Sequence, residues 1–566
     1  MKRAAPFLAA IVSGLAVAIT FPTVVPWISL RELDPAGRLE LVAWVALVPA
    51  LLALRAARSA RGAFALGLVA GFACFFPAIH WVSHAMTAFG GLSTPFAVFA
   101  LSLLVLFMAA HWGGAFAVAH VVRARLGVAL PWVLPVVWAA FELLRNHLFT
   151  GFPWGNLGYT QARALRITQL AALGGVYLVA ALVALVNAAV AEAVAARREG
   201  ARAPRRALAA AAALVALALV HGEWRLRAVR ARMAAAPAVK VGIVQPNVNQ
   251  AVKNRAASEG RYILERLVPL TVDADEAGAG LVVWPEAAYP FHVPLGLRTL
   301  NVQGAGIPRL RSAHLLAGMV SLERVPGPDG RTRNVVRNST YLATPDLDLL
   351  GVQVKNHLVP FGEYVPLRRW LPFLGKVVPT LGTVEPSAEL NVLAFRPPGA
   401  PAEAPEVTLA PLICFDAIFP EISVAYARRT PEPELLVNPT NDAWYGYSSG
   451  PYQFLAIVRM RAVETGKAVV RPAYAGVSAV ILPTGEVAPG ALEVGPVEPA
   501  RAPDPEEPAR LLLADVPRLR GSTPYTRVGD LFAGIASALA AAALGLALLR
   551  RRASGPKDAG AAAAKP

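Results

Sequence analysis

The sequence predicts a multi-span α-helical membrane domain joined to an α/β domain outside the bilayer, and three observations predict it. Of the 566 residues, 55% are hydrophobic and only 16% charged, with a mean hydropathy of +0.48, whereas soluble domains carry about 25% charged residues. Apolar stretches of spanning length crowd into the first 230 residues and return near the C-terminus. Between them, from Val239 to about Val516, short β-branched runs alternate with helical segments, the pattern of layered sheets and helices.

The spans come first. Crossing a hydrocarbon core takes ~20 apolar residues, and segments of about that length lie at 6–24, 39–55, 62–82, 92–121, 129–147, 168–195 and 205–222, with an eighth at 529–549. Basic clusters follow a regular alternation: Lys2 and Arg3; Arg55, Arg58 and Arg61; Arg123 and Arg125; Arg197, Arg198, Arg202, Arg205 and Arg206; Arg550, Arg551 and Arg552. If all eight segments span, every cluster falls on one side, which the positive-inside rule makes cytoplasmic. Both termini are then cytoplasmic and the α/β domain is on the opposite face, periplasmic at a bacterial inner membrane. Lys2-Arg3, the apolar core and Ala16-Val17-Ala18 also have the form of a cleavable signal peptide; cleavage would leave that placement unchanged. The expected division is a membrane domain over 1–225, the α/β domain over 238–516, a C-terminal span over 529–550 and a disordered cytoplasmic tail over 553–566.

The net charge of +17 does not imply a nucleic-acid partner. From Lys240 to Val516 basic and acidic residues nearly cancel, and the excess sits beside the spans, where it sets orientation. Two cysteines, Cys74 and Cys414, make no disulfide framework and no zinc pattern. Cys74 lies inside the third span as a small apolar residue. Polar residues at a span are costly and mark function or mutual neutralisation. Glu142 and Arg145 end the fifth span three residues apart, a spacing at which they can neutralise each other. The external loop Gly151 to Tyr159 follows, and its Trp154 and Tyr159 suit either an interfacial belt or contact with substrate.

In the α/β domain, strands are expected at Val239–Val244, Leu281–Trp284, Leu315–Val320, Ser339–Ala343, Leu350–Val354, Val407–Ile413, Leu435–Val437, Ala468–Arg471, Val477–Leu482 and Leu511–Val516, and helices at Ala256–Ala274 and Tyr452–Thr465. Ala400–Glu406 and Pro496–Pro508 read as solvated connectors. Three strand ends carry the chemistry. Leu281-Val282-Val283-Trp284-Pro285-Glu286 ends in a carboxylate, Leu350-Gly351-Val352-Gln353-Val354-Lys355 in an ammonium, and Pro411-Leu412-Ile413-Cys414-Phe415-Asp416 delivers a thiol. A thiol is a weak nucleophile while protonated. A carboxylate can take its proton, and an ammonium can face the oxyanion of a tetrahedral intermediate. Each also has an ordinary structural explanation: a buried Cys, a helix-capping Glu, a surface Lys.

Together, Glu286, Lys355 and Cys414 resemble the Glu–Lys–Cys signature of the nitrilase (carbon–nitrogen hydrolase) superfamily. The run Lys355-Asn356-His357-Leu358-Val359-Pro360-Phe361-Gly362-Glu363-Tyr364-Val365-Pro366 is similar to the K-x-H-L-V-P-F-G-E-Y-V-P word of the apolipoprotein N-acyltransferase family. So are Asn441-Asp442-Ala443-Trp444-Tyr445-Gly446, Arg459-Met460-Arg461-Ala462-Val463-Glu464 and the loop Gly151-Phe152-Pro153-Trp154 with Gly158-Tyr159-Thr160-Gln161. The resemblance implies a nitrilase-like αββα sandwich, a phospholipid acyl donor, and an acceptor that is the α-amine of an S-diacylglyceryl cysteine on a prolipoprotein.

It further implies catalysis by Glu286, Lys355 and Cys414 through a thioester, in a ping-pong cycle with no metal or nucleotide cofactor. Glu363 supports the site, and Phe415, Asp416, Tyr364, Trp444, Trp154 and Tyr159 are candidates for support or substrate contact. A monomer is expected, since one chain holds both the spans and the trio. The chain departs from the family words at Phe415-Asp416, where Tyr-Glu is usual, at Tyr447 and Phe454, and at Tyr474-Ala475, where Asn-Thr is usual before Gly476. Two other functions stay open: a membrane-anchored amidase that hydrolyses the thioester, and a lipoprotein-binding pseudoenzyme.

Overall fold

The computed structural model of the chain describes residues 4–22, 24–25, 28–29, 38–248, 250–326, 330–364, 384–446, 448–493 and 508–553. Tyr447, Val365, Pro366, most of the 496–508 connector and the 554–566 tail, on which expectations were placed above, lie outside the described residues.

The first 235 residues form helices of unequal length, most of them apolar: α1 (Ala5–Ala18), α2 (Val48–Arg55), α3 (Ala60–Ala78), α4 (Trp81–Ala88), α5 (Thr94–Leu126), α6 (Leu130–His147), α7 (Ala171–Arg198) and α8 (Arg205–Ala235). Among the described residues, α3, α5, α7, α8 and the C-terminal helix Leu531–Ala553 are long and apolar enough to cross a membrane. The 39–55 stretch is not one continuous helix. A 3-10 turn over Arg38–Trp44 precedes α2, which restarts with Pro49 in its first turn. Eight residues of helix rise only about 12 Å, so α2 is a half-length element. Its unpaired N–H groups are met from neighbouring helices, Leu47 by Asn187 Oδ1 at 2.8 Å and Ala50 by Ser13 Oγ at 2.9 Å. A polar side chain inside an apolar bundle is stable here because it closes a helix end.

Residues from three of the basic clusters, Arg55, Arg123 with Arg125, and Arg550, converge at one end of the bundle. Arg55 pairs with Glu192 and Glu199, Arg123 donates to the Arg55 carbonyl, Arg125 to the Ala547 carbonyl and Arg550 to the Arg125 carbonyl. The α/β domain occupies the other end. The helix α8 joins the two, with Arg225 reaching Gln169 Oε1 and the Val463 carbonyl, and Arg230 reaching Glu486.

Two sheets form that domain. In the first, β1 (Ala238–Gln245), β2 (Leu281–Val283), β3 (His314–Pro326), β4 (Thr332–Ala343) and β5 (Leu349–Val354) lie in sequence order. The last strand of the domain, Arg510–Pro517, closes the sheet by running antiparallel to β1, and Val293–Pro294 adds a short partner to β3. The second sheet runs β6 (Leu393–Phe395), β7 (Val407–Pro411), β8 (Leu435–Val437), β9 (Ala468–Arg471), β10 (Val477–Ile481) and β11 (Leu492–Glu493).

Alternation along the strands splits their side chains between layers. Val241, Ile243, Leu281 and Val283 meet Val407, Leu409, Leu435 and Val437 between the sheets. Val244, Val282 and Leu315 face outward under helix α9 (Ala256–Glu276). On the opposite side Ala410, Leu436 and Val469 pack under α11 (Gly450–Thr465), and the same apolar cluster continues without a break into the membrane helices. The domain is thus an αββα sandwich whose second helical layer is seated on the bundle; α10 (Pro420–Ala427) completes that layer.

The seat is polar at its centre. The helix α7 kinks at Gly174 and Gly175, the latter at φ +67° with Tyr525 packed so closely that a Cβ there would meet its ring at 2.6 Å. The Val176 N–H freed by the kink donates to Glu464 Oε1 at 3.0 Å, and Glu464 pairs with Arg461 at 2.8 Å. A second fastening is Gln453. Its Oε1 accepts from the indoles of Trp154 (2.7 Å) and Trp81 (3.3 Å), while its Nε2 donates to the Ala78 and Pro22 carbonyls.

Candidate active site

Leu281–Val283 ends against a strand that has room for it. At Gly318 of β3 an added Cβ would lie 2.1 Å from the Pro285 carbonyl oxygen and 2.8 Å from Glu286 Cα. Only a glycine lets the Glu286 turn lie so close. The turn continues through Ala287 at φ 45°, and Cys414 holds φ 47° where β7 gives way to a 3-10 turn. Non-glycine residues in this left-handed region cost roughly 1–2 kcal/mol each. At Cys414 the conformation lifts the thiol off the strand end, and the Cys414 N–H is tied to the Pro439 carbonyl at 2.8 Å.

The three strand-end residues meet. Lys355 Nζ lies 2.8 Å from Glu286 Oε1 and 2.9 Å from Glu363 Oε1. Asn338 Nδ2 donates to the same two oxygens, at 2.7 Å and 3.0 Å, so both carboxylates are fixed from a second direction. The Val359 N–H holds the other Glu363 oxygen at 2.9 Å. Cys414 Sγ accepts from Thr440 Oγ1 at 3.3 Å, and the Asn441 N–H also favours the thiolate.

The electrostatics assign a resting state. Burial opposes charge on Lys355, yet Glu286 and then Glu363 hold its ammonium well above the usual range. Burial likewise opposes charge on Glu286, but Lys355 outweighs it and keeps the carboxylate below its ordinary value. The Cys414 thiol is pushed up, first by burial and then by the Glu286 charge. A neutral thiol therefore faces a carboxylate already able to accept its proton, beside an ammonium. This arrangement suits nucleophilic chemistry at an acyl carbon.

The remaining residues singled out in the sequence are placed as follows. Asp416 points back into the protein, where it accepts the N–H groups of His357 (2.7 Å), Asn356 (3.3 Å) and Ile413 (3.1 Å). Its carboxyl is raised to about 7 by burial, against the pull of Lys355 and those N–H groups. Phe415 is buried against Phe419, His357 and Phe152. Tyr364 meets Thr150 of the membrane-side loop. Trp444, more than a third exposed, stacks edge-on with Phe89 at 5.2 Å. Trp154 is buried between Trp81, Tyr445 and Phe454. Tyr159 turns away from the trio, its hydroxyl accepting from Arg461 at 3.3 Å.

Glu142 and Arg145 do not pair with each other. Glu142 accepts from Trp138 Nε1 (3.0 Å) and the Leu157 N–H (2.6 Å), and Arg145 donates to Asn156 Oδ1. Both fasten the 151–161 loop. Sequence reasoning missed Asn338, Thr440 and Lys253. None closes an apolar run of the kind that marks Glu286, Lys355 and Cys414, and none belongs to the words that carry the family resemblance.

Two family models divide the chain. Residues 8–189 match the apolipoprotein N-acyltransferase N-terminal domain, and residues 240–495 match the carbon-nitrogen hydrolase domain. Among curated proteins, the apolipoprotein N-acyltransferase of Geobacter metallireducens is 34% identical over 96% of both chains. That of Gloeobacter violaceus is 32% identical over 95% of this chain and 93% of its own. Among solved structures, an amidase of the nitrilase superfamily from Nesterenkonia matches with 20% identity and a TM-score of 0.32, covering 53% of this chain and 98% of the amidase. With both parts of the chain matched and relatives aligned end to end, the chain belongs to the apolipoprotein N-acyltransferase family.

Proposed function

We propose that Cys414 carries an acyl group from a membrane phospholipid, as a thioester, to the α-amine of an S-diacylglyceryl cysteine on a lipoprotein. The observation that supports this most is the row Glu286–Lys355–Glu363, with 2.8 Å and 2.9 Å contacts, facing a thiol that burial keeps protonated.

Glu286 takes the Cys414 proton as sulfur attacks the sn-1 ester carbonyl. The oxyanion forms beside Lys355. On collapse the carbon–oxygen bond breaks, the lysophospholipid alkoxide takes the proton from Glu286, and the thioester remains. The lipoprotein amine then attacks the thioester carbonyl and gives a proton to Glu286. Lys355 faces the second oxyanion, the carbon–sulfur bond breaks, and the proton returns to sulfur. Ester, thioester and amide follow in order with no further energy source. Glu363 is the second carboxylate that holds Lys355 in place.

Both lipids approach from the leaflet next to the catalytic sandwich. The gathering of Arg55, Arg123, Arg125 and Arg550 at the far end of the bundle supports cytoplasmic termini, eight membrane segments and a periplasmic site at the inner membrane. The complete trio within one chain supports a monomer. A hydrolase would leave the acyl group to water, and a pseudoenzyme would have no use for the retained trio; family membership favours neither.

Intact-mass spectrometry of the detergent-purified chain mixed with phospholipid alone, beside Cys414→Ala, tests the proposal. The expected result is an acyl adduct absent from the variant and discharged onto a diacylglyceryl-cysteine peptide as N-acyl product. Discharge into free fatty acid alone would make the protein a hydrolase. No adduct from any of several lipids would remove the thioester.

A further inference from the structure

The charges of the row do not balance. Lys355 stands between Glu286 and Glu363, one cation against two carboxylates, the first buried and the second partly so. The second cation is Lys253, at the end of the short turn Gln250–Lys253. Its ammonium donates to the Glu286 main-chain carbonyl at 2.9 Å and lies over the Tyr474 ring, 3.9 Å from its centroid. No carboxylate forms an ion pair with Lys253 among the described residues.

Tyr474 is fixed by the segments around it. Its N–H donates to the Thr440 carbonyl at 3.0 Å and its carbonyl accepts the Asn247 N–H at 3.1 Å. Thr440 is the residue whose hydroxyl reaches Cys414, so the ring under Lys253 and the thiol hang from one strand end. An aromatic face holds an ammonium without cancelling its charge. That gives a physical use to Tyr474, one of the positions where this chain departs from its family's words.

The titratable groups that Lys253 faces are Glu286, Cys414 and Lys355; burial lowers its ammonium to about 8, although the first two draw it upward. On the Glu286 side, burial opposes the carboxylate, and Lys355 and then Lys253 favour it. Behind the ring, Arg266 and Tyr262 face Tyr474.

We propose that Lys253, seated on Tyr474, is a positioning residue of the reaction: it clamps the Glu286 main chain and holds that carboxylate ready to receive the thiol proton. The inference rests on Glu286 being the base. With Lys253 the row is neutral. Without it, one uncompensated negative charge opposes both the Glu286 carboxylate and any charge that develops on sulfur.

The test is the pH dependence of Cys414 alkylation by iodoacetamide, read by intact mass on the full-length detergent-purified protein from about pH 3 to 9, a range that brackets the ordinary carboxylate value. Lys253→Met is expected to move the acid limb to higher pH by about one unit. Lys253→Arg keeps the charge and leaves the limb in place, and Tyr474→Leu falls between them. A Lys253→Met profile that superimposes on the wild type overturns the inference. So does equal loss of reactivity in the Met and Arg variants with no movement of the limb, which is what a mere tie between loops would give. If Lys253→Met does not fold, Tyr474→Leu against Lys253→Arg carries the same comparison. Glu286→Gln separates the two levels: an acid limb that survives it takes Glu286 out of the proton path and overturns the proposed mechanism, and this inference with it.

Discussion

Asp416 Oδ1 accepts the His357 main-chain N–H at 2.7 Å, which joins the turn carrying the nucleophile to the loop that leaves Lys355. The two segments lie 59 residues apart in the chain, yet one carboxylate sets their spacing. Asp416→Ala would strand three N–H groups, two of them on the Lys355 loop. The expected cost is about 2–4 kcal/mol of stability, with adduct formation falling by more than tenfold. Asp416→Asn, which keeps one acceptor oxygen, should lie between. Denaturation midpoints and acylation rates measured on the same samples check both.

His357 gives the site an acid limit. Burial holds its imidazole down to about 4, against about 6.5 in an unfolded chain. The unfolded state binds the proton first as pH falls, so this contribution is whole above pH 6.5 and is lost between about 6.5 and 4. Because the ring is half-buried, about 1–2 kcal/mol is expected across that window. The ring stacks on Phe419 at 3.8 Å, and His357→Phe keeps that contact while removing the titration. Melting temperatures at pH 7.5, 6 and 5 should fall less in the variant; parallel curves would sink the idea.

Gly318→Ala places a methyl where the Pro285 carbonyl already is. The backbone of Glu286 must move by a good fraction of an ångström, and a displacement of that size costs about 10²-fold in rate. Lys355 keeps its Glu363 contact, so the fold should persist while acylation falls. Circular dichroism beside the intact-mass assay separates the two effects.

Gln453→Leu leaves two indole N–H groups, of Trp81 and Trp154, without their shared acceptor. Neither tryptophan belongs to the trio. Acylation by a water-soluble aryl ester should therefore hold, while acylation by phospholipid drops by about tenfold, because the bundle no longer sits in register with the sandwich. Equal loss with both donors would show that Gln453 merely supports the fold.

Much of this could be read from the chain because the relevant signals are local. Runs such as Val239–Val244 and Val407–Ile413 are short and rich in apolar and β-branched residues, and the observed strands cover them to within a residue or two. Glu286, Lys355 and Cys414 stand at such strand ends and meet as expected. What could not be read depends on distance. Gln453 lies 372 residues from Trp81, and no spacing announces that contact. Leu393–Phe395, which pairs with β7, has no β-branched side chain to mark it as a strand. The 39–55 stretch is apolar throughout, and apolarity alone does not report that Pro49 restarts the helix or that Asn187 waits to cap it. Glu142 and Arg145 have a spacing that suits a neutral pair, but the 151–161 loop offers each a better partner.

The pair Arg461–Glu464, closed over by the kink of α7, bears on how the protein can be handled. A fragment trimmed to the sandwich alone would open that buried pair to solvent, leave Gln453 with nothing to bind, and expose the apolar cluster that now runs from Leu436 into α7. Such a fragment should aggregate rather than work as a soluble hydrolase. The bilayer helices are no mooring line that could be cut; they are the missing wall of the enzyme's own interior.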